Sequence, residues 1–523
     1  ATEIALQEGL ARFERQSGRL EYNGPEASLT EAIAKIDEER AAAAKKTVSV
    51  AIAGSEAPAL DPAWLIALRD AKLPLYDVHW TPVVVTELPE DKRKGGVTVG
   101  LSDGRTLPLA VPTRTIRDKL AVNDVVYARI TEGKTAKAEM RVRPVVQGAA
   151  VVLDNKTGKI LAMTGGFSFP LSQLNRSTQS WRQPGSALKP LSYLAALKAG
   201  LGPKSIVLDA PITLAPIDGT SKDDYWTPKN YSGGALGPIT LADALAKSRN
   251  LATAHLLDGG IAPTPKESLH RVCEIAMEAK LYDKCEPYYP FVLGAQPVRV
   301  IDLAAFYAAI PNGGERPAPY AIEQISENDR VVYLRKPDVA PIGEPDPARF
   351  FELKTMLNGV VARGTATSLR AFAPYVAGKT GTTDDAADTW FVGFSNDVTV
   401  GVWVGYDNAD GERRTLGDAT GNRVAAPIFG EIMHAVWDDY APRTALAPPS
   451  KAMKIQLASL EAEARPEVIS RSDLEAAKVK VRRRIMEPAF AEEGFDPGRR
   501  RWRNGGHGFF KSLFDNVWGD RLN

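Results

Sequence analysis

Three short groups of residues have the types and spacing for acyl transfer. The first lies in RQPGSALKPLSYLAALKAGL, Arg182–Leu201, where Ser186 precedes Lys189 by three positions. Leu188, Leu191, Leu194, Leu197 and Leu201 recur every three or four residues, which predicts a helix with one buried face. Deep inside a helix a proline deletes a hydrogen bond and clashes, so Pro190 sets the helix start close to Ser186. The backbone N–H of Ser186 then belongs to the unpaired donors at a positive helix end and can bind a developing oxyanion. Lys189 shares that helix face and is expected to reach the hydroxyl as its base, provided burial or a nearby cation lowers its pKa.

Alone, Ser-x-x-Lys is weak, since roughly one or two arise by chance in a chain of this length. Here it occurs once and is followed in order by two further groups. Ser248-Arg249-Asn250 falls at the junction of two helical segments in ITLADALAKSRNLATAHLL, where plain helix capping by Asn250 is the simpler alternative. A similar triplet, Ser326-Glu327-Asn328, joins two strand-like runs and is expected to be a hairpin turn. The third group is Lys379-Thr380-Gly381-Thr382 in VAGKTGTTDDAADTWFVGF. In an extended strand Thr380 and Thr382 share a face, where paired hydroxyls could hold a carboxylate; Gly381 would let a substrate backbone approach, and Lys379 supplies a cation. An earlier Lys156-Thr157-Gly158 sits in a tight turn and is expected to be structural.

These groups need a scaffold, and a chain of 523 residues is long enough for several domains. Residues 1–45 are helical and charged, and resemble a connector more than a core. Residues 46–147 change to β texture: TVSVAIAG, VHWTPVVVTEL, GGVTVGLSDGRTLPLA with a turn at Asp103-Gly104, NDVVYARI and KAEMRVRPVV suggest a small OB-like barrel. Residues 148–443 open with a hairpin, continue as helices and return to strands. In VTVGVWVGY, Val398, Val400, Val402 and Val404 alternate as in a half-buried strand. Helices between strands of one antiparallel sheet give an α+β class. Residues 444–523 are polar and Arg-rich, and are expected to be a mobile tail.

With 65 basic and 64 acidic side chains, no global field draws the chain to nucleic acid or anionic lipid. No apolar run is long enough to span a bilayer. Five scattered histidines and two cysteines, with no Cys-x-x-Cys, give no metal site. Cys273 and Cys285 are either small buried residues or a disulfide formed in an oxidising compartment.

The three motifs together resemble the penicilloyl serine transferases. The phrases QGAAVVLDNKTGKILAMTGG, RQPGSALKP, TPKNYSGGALGPITLADALAKSRN, LGAQPVRVIDLAAFYAAIPNGG, and GKTGTT leading to DTWFVGF and VWVGY are similar to the transpeptidase domains of class A, bifunctional penicillin-binding proteins, over most of the chain. The resemblance implies a penicillin-binding/β-lactamase-like fold with an OB-like accessory domain. It implies Ser186 as nucleophile, Lys189 as base, Ser248 as proton relay and Asn250 on the substrate amide. Lys379, Thr380 and Thr382 would hold the substrate carboxylate, and the N–H groups of Ser186 and Thr382 would form the oxyanion hole. No cofactor is implied. Partners would be peptidoglycan stem peptides, β-lactam antibiotics and, through the OB-like domain, cell-wall assembly proteins, at the periplasmic or outer face of a bacterial cytoplasmic membrane. An export-type family also favours a Cys273–Cys285 bridge. The glycosyltransferase domain and membrane anchor of class A members are not visible, so a fragment is expected. A serine β-lactamase would need a base for deacylating water, for which no motif is evident. Against a non-catalytic peptidoglycan-binding scaffold stand intact Ser186, Lys189 and Lys379.

Overall fold

The computed structural model describes residues 1–47, 61–89, 96–133, 136–217, 225–408, 411–468 and 470. The strand expected at TVSVAIAG and the Arg-rich segment from Arg471 lie outside them.

Helix α1 (Thr2–Ser17) ends on Gly18, whose φ of 69° supplies the left-handed cap that L side chains avoid. Leu6 and Leu10 of α1 are fully buried in the main core. The first helical residues are therefore part of that core, which corrects the expectation of a connector; residues one turn apart present one apolar stripe despite the charged composition.

Next comes a barrel of strands β1 (Thr81–Glu87), β2 (Val97–Gly100), β3 (Thr106–Ala110), β4 (Asp124–Thr131) and β5 (Lys137–Arg141). Pairing runs β1–β2–β3–β5–β4–β1, so the sheet closes on itself; only the β3–β5 pair is parallel. Closure removes all free edges from these five strands. In β1, Val83 and Val85 point into the barrel, while Val84 points outward under the helix Ala63–Asp70. The β2–β3 turn passes through Gly104 with φ of 91°.

The second sheet is antiparallel throughout, in the order β8 (Ala377–Thr382), β9 (Asp388–Phe394), β10 (Val398–Gly405), β6 (Gln147–Asp154), β7 (Ile160–Thr164). A β10 buried on one face only is corrected: all its residues are buried. Helix α3 (Val300–Ala309) packs at Gly401 on one face, and α4 (Ala425–Asp439) packs at Gly393 on the other. Both faces are therefore covered by helices.

Helix α2 (Lys189–Lys198) runs through the core and is buried as far as Leu197. It stops at Lys198. Gly200, with φ of 94°, turns the chain, and Leu201 begins the strand Leu201–Asp209 instead of extending the helix as the leucine spacing predicted. Residues 444–468 are also ordered, which corrects the mobile-tail expectation for this stretch. Their helix Lys451–Glu463 leads to a strand, Arg465–Glu467, paired in parallel with Leu201–Asp209. No described helix is long and apolar enough to cross a membrane.

Candidate active site

Ser186 lies in a 3-10 turn, Gly185–Leu188, immediately before α2. Pro190 is in the first turn of α2, where its missing N–H costs nothing. Several supports hold this turn. Trp390 Nε1 donates to Gln183 O at 2.8 Å, and the Tyr307 hydroxyl donates to Ala187 O at 2.7 Å. Gly185 has φ of 51°, and its N–H donates to Gly294 O at 3.2 Å. A Cβ on Gly185 would lie 2.5 Å from Thr382 O and 3.3 Å from Thr382 N, so this position must be glycine.

The same approach sets strand β8 beside the serine. Thr383 N donates to Asp388 O, which makes that pair the hydrogen-bonded one. By the antiparallel alternation, Thr382 is then in a non-hydrogen-bonded pair with Thr389, and its N–H points away from β9 toward the open edge. That edge faces Gly185 and Ser186.

Lys189 is fully buried. Its Nζ donates to Asn250 Oδ1 at 2.6 Å and Ser248 O at 2.8 Å, with Ser248 Oγ at 3.4 Å. The expected hydrogen bond to the Ser186 hydroxyl is not formed: a carbonyl and an amide oxygen together satisfy a buried amine better than one hydroxyl. Burial, with the Lys379 and Arg249 charges adding to it, holds the Lys189 pKa well below the usual lysine range. Lys379, also fully buried, donates to Ser248 Oγ at 2.9 Å and Thr380 O at 3.0 Å, and burial lowers its pKa to about 7.

Ser248 sits between the two amines on a left-handed residue, φ 55°, at the break between helices Leu241–Ala246 and Asn250–His255. A non-glycine residue there costs about 1–2 kcal/mol. A buried network holds the turn. Asp209, fully buried, accepts from Arg249 Nε at 2.7 Å, Asn230 Nδ2 at 2.9 Å and Leu236 N at 2.8 Å. Asn230 Oδ1 in turn accepts from the N–H groups of Asn250 and Leu251. Asn250 is therefore not a side-chain cap; Asn230 caps this helix, while the Asn250 amide spans Lys189 and Lys229 O.

Residues 148–267 and 297–434 match the penicillin binding protein transpeptidase domain family. Those residues form a penicillin-binding-protein transpeptidase domain. Among relatives, the chain is 36% identical to penicillin-binding protein 1A of Rickettsia bellii, over 58% of this chain and 39% of that protein. It is 32% identical to penicillin-binding protein 1A of Neisseria lactamica, over 87% of this chain and 52% of that protein. The chain thus spans about half the length of such relatives or less. Its fold is shared with penicillin-binding protein 1A from Haemophilus influenzae, at TM-score 0.65 and 22% identity, over 86% of this chain and 66% of that one.

The third motif of the transpeptidase domain is closely packed. A Cβ on Gly381 would lie 2.3 Å from Pro184 O, so glycine is required where β8 docks on the nucleophile turn. The Thr380 hydroxyl pairs with Thr365 Oγ1 at 2.6 Å, and the Thr382 hydroxyl accepts from Gly421 N at 3.1 Å. Both hydroxyls have protein partners in this state. The similar triplets are structural. Lys156 and Thr157 donate to Asp154 in the β6–β7 turn, and Ser326-Glu327-Asn328 lies in an exposed hairpin with Asn328 at φ 48°.

Asp209 and Tyr307 carried no signal in the sequence, because each acts on a partner far along the chain. Asn230 stood inside the family-like phrase TPKNY without an assigned role. Cys273 and Cys285 form a disulfide with a Cα separation of 5.5 Å, in the stretch between the two matched segments. Among the described residues no group of three His, Cys, Asp or Glu side chains could hold a metal.

Proposed function

We propose that this chain is a serine DD-transpeptidase that cross-links peptidoglycan stem peptides. The observation that carries the reading is the convergence of two buried lysines on Ser248 beside the Ser186 turn. Burial, with the Lys379 and Arg249 charges adding to it, favours the neutral form of the Lys189 amine. It can donate its two N–H groups to Asn250 and Ser248 O and keep a lone pair for the Ser186 proton.

Ser186 Oγ attacks the carbonyl of the penultimate D-Ala as Lys189 takes the hydroxyl proton. The N–H groups of Ser186 and Thr382 stabilise the oxyanion. The C–N bond then breaks, and Ser248, between the two amines, gives its proton to the departing D-Ala nitrogen and is refilled from Lys189, which is neutral again. A neighbouring stem amine attacks the ester carbonyl, and Lys189 takes its proton and hands it to Ser186 Oγ as the C–O bond breaks. Lys379, Thr380 and Thr382 receive the substrate carboxylate; the Thr382 hydroxyl, which accepts from Gly421 N, keeps its own proton to donate.

A β-lactam offers the same carboxylate and a strained amide, so Ser186 should form one long-lived adduct. We also assign the five-stranded barrel to the OB type, as a docking module for cell-wall proteins, and the chain to an extracytoplasmic location. The disulfide favours an oxidising compartment. Fluorescent penicillin followed by mapping of the adducted peptide tests the reading: label is expected on Ser186 and absent in Ser186→Ala. Normal labelling of that variant refutes the nucleophile, and rapid loss of the adduct favours a β-lactamase.

A further inference from the structure

We propose that the Cys273–Cys285 disulfide is a positioning element for Ser186, acting through the segment from Tyr282 to Val298; this rests on Ser186 being the nucleophile. Cys273 is 4% exposed, on the helix Pro265–Glu278, which packs against α2. Past Cys285 the chain forms neither an α-helix nor a strand before α3. It has only the 3-10 turn Tyr289–Leu293. Such a segment has few backbone hydrogen bonds of its own and takes its rigidity from tethers.

Its tethers are identifiable. The disulfide fixes one end. The Tyr282 hydroxyl donates to Gln296 O at 3.0 Å, and the Tyr282 ring meets Phe291 edge-on with centroids 5.9 Å apart. At the other end the segment meets the nucleophile turn directly. Arg182 and Val298 exchange backbone hydrogen bonds at 3.0 and 2.9 Å, and Gly294 O accepts from Gly185 N. The fit is close, since a Cβ on Gly294 would lie 2.0 Å from Gly185 O.

Of the supports on the Ser186 turn, Trp390 belongs to β9 and Tyr307 to α3, both rigid parts of the core. The Gly294 support comes from the loop, which the bridge tethers at one end and the buried Phe291 and Val292 anchor in the core. The bridge lies between the two segments that match the transpeptidase family. A displacement of the serine by a fraction of an ångström is enough to slow attack, because near-attack geometry is narrow.

The test is the double variant Cys273→Ser, Cys285→Ser, acylated by fluorescent penicillin at a temperature where circular dichroism shows it fully folded. The second-order acylation rate is expected to fall about tenfold, beyond any loss of melting temperature. A folded double variant that acylates at the wild-type rate overturns the proposal and reduces the bridge to a stabiliser. Should the double variant not fold, Gly294→Ala with the bridge intact probes the same contact: slowed acylation supports positioning by the loop, and an unchanged rate overturns it. Labelling of Ser186→Ala, run alongside, would sink the nucleophile assignment itself and is read separately from these rates.

Discussion

Inside the barrel Val83, Val85, Val97, Val99, Leu107 and Leu109 pack against one another, whereas the transpeptidase core encloses Lys189, Lys379 and Asp209 at 0% exposure and Arg176 at 1%. The barrel's own buried acidic and basic side chains stand at strand ends. Asp124, the first residue of β4, accepts from Ala121 N, and Arg141, the last of β5, pairs with Glu8. Burying a charge costs several kcal/mol unless it is paired or loses its charge. The transpeptidase core does both: Asp209 is paired, and the two lysines have depressed pKa values. The difference separates a module with an apolar interior from one that carries the destabilising burial of ionisable side chains around the Ser186 turn.

The largest expected effect is at Asp209. Asp209→Asn keeps the volume but leaves Arg249, 7% exposed, without its counter-charge. Removing one partner of a buried pair costs about 3–5 kcal/mol, read as a lower urea midpoint. Acylation should slow as well, because Asn230, which caps the Asn250 helix, loses one of its acceptors. A variant within 1 kcal/mol of wild type that labels normally would erase the contrast between the cores. Met140→Ala is the matching test in the barrel. Met140 is 3% exposed, and its truncation should cost about 2–4 kcal/mol while the penicillin labelling rate stays at the wild-type value. A slowed rate would mean that the barrel is coupled to the site.

The order of the three motifs and the alternation of the barrel strands could be read directly from the sequence, because each depends on residues close together in the chain. What joins the motifs could not. The turn of Ser248 onto φ 55° depends on Asp209, 39 positions earlier, and on Asn230, and nothing in LDAP or KNY states that pairing. Gly381 and Gly185 were legible as glycines but not as the two sides of one contact between β8 and the nucleophile turn. The burial of both faces of β10 was hidden because glycine, threonine and tryptophan at alternate positions look like an exposed face until α3 and α4 are seen to cover the strand. The tail from 444 to 468 was misread on polarity alone, although one strand, Arg465–Glu467, is enough to bind it to the domain.

The smallest effect lies in the pH dependence of Lys379. Its folded pKa is about 7 against 10.5 for an ordinary lysine. Between these values the unfolded chain holds a proton that the folded chain has released, so stability must rise with pH across that window. Below about 7 both states are charged, and the full penalty of the buried ammonium is present. Wild-type urea midpoints should therefore climb from pH 7 to pH 9, by at most ~1.4 kcal/mol per pH unit from this one group. Lys189 adds a rise of the same sign, so the diagnostic quantity is the difference from Lys379→Met, whose profile should be the flatter. Parallel profiles would show that Lys379 is not depressed. On the role proposed for Lys379 the same titration acts on function in the opposite direction: a cation that attracts the carboxylate is lost as pH rises through about 7, so second-order acylation should fall over the range in which the fold grows more stable.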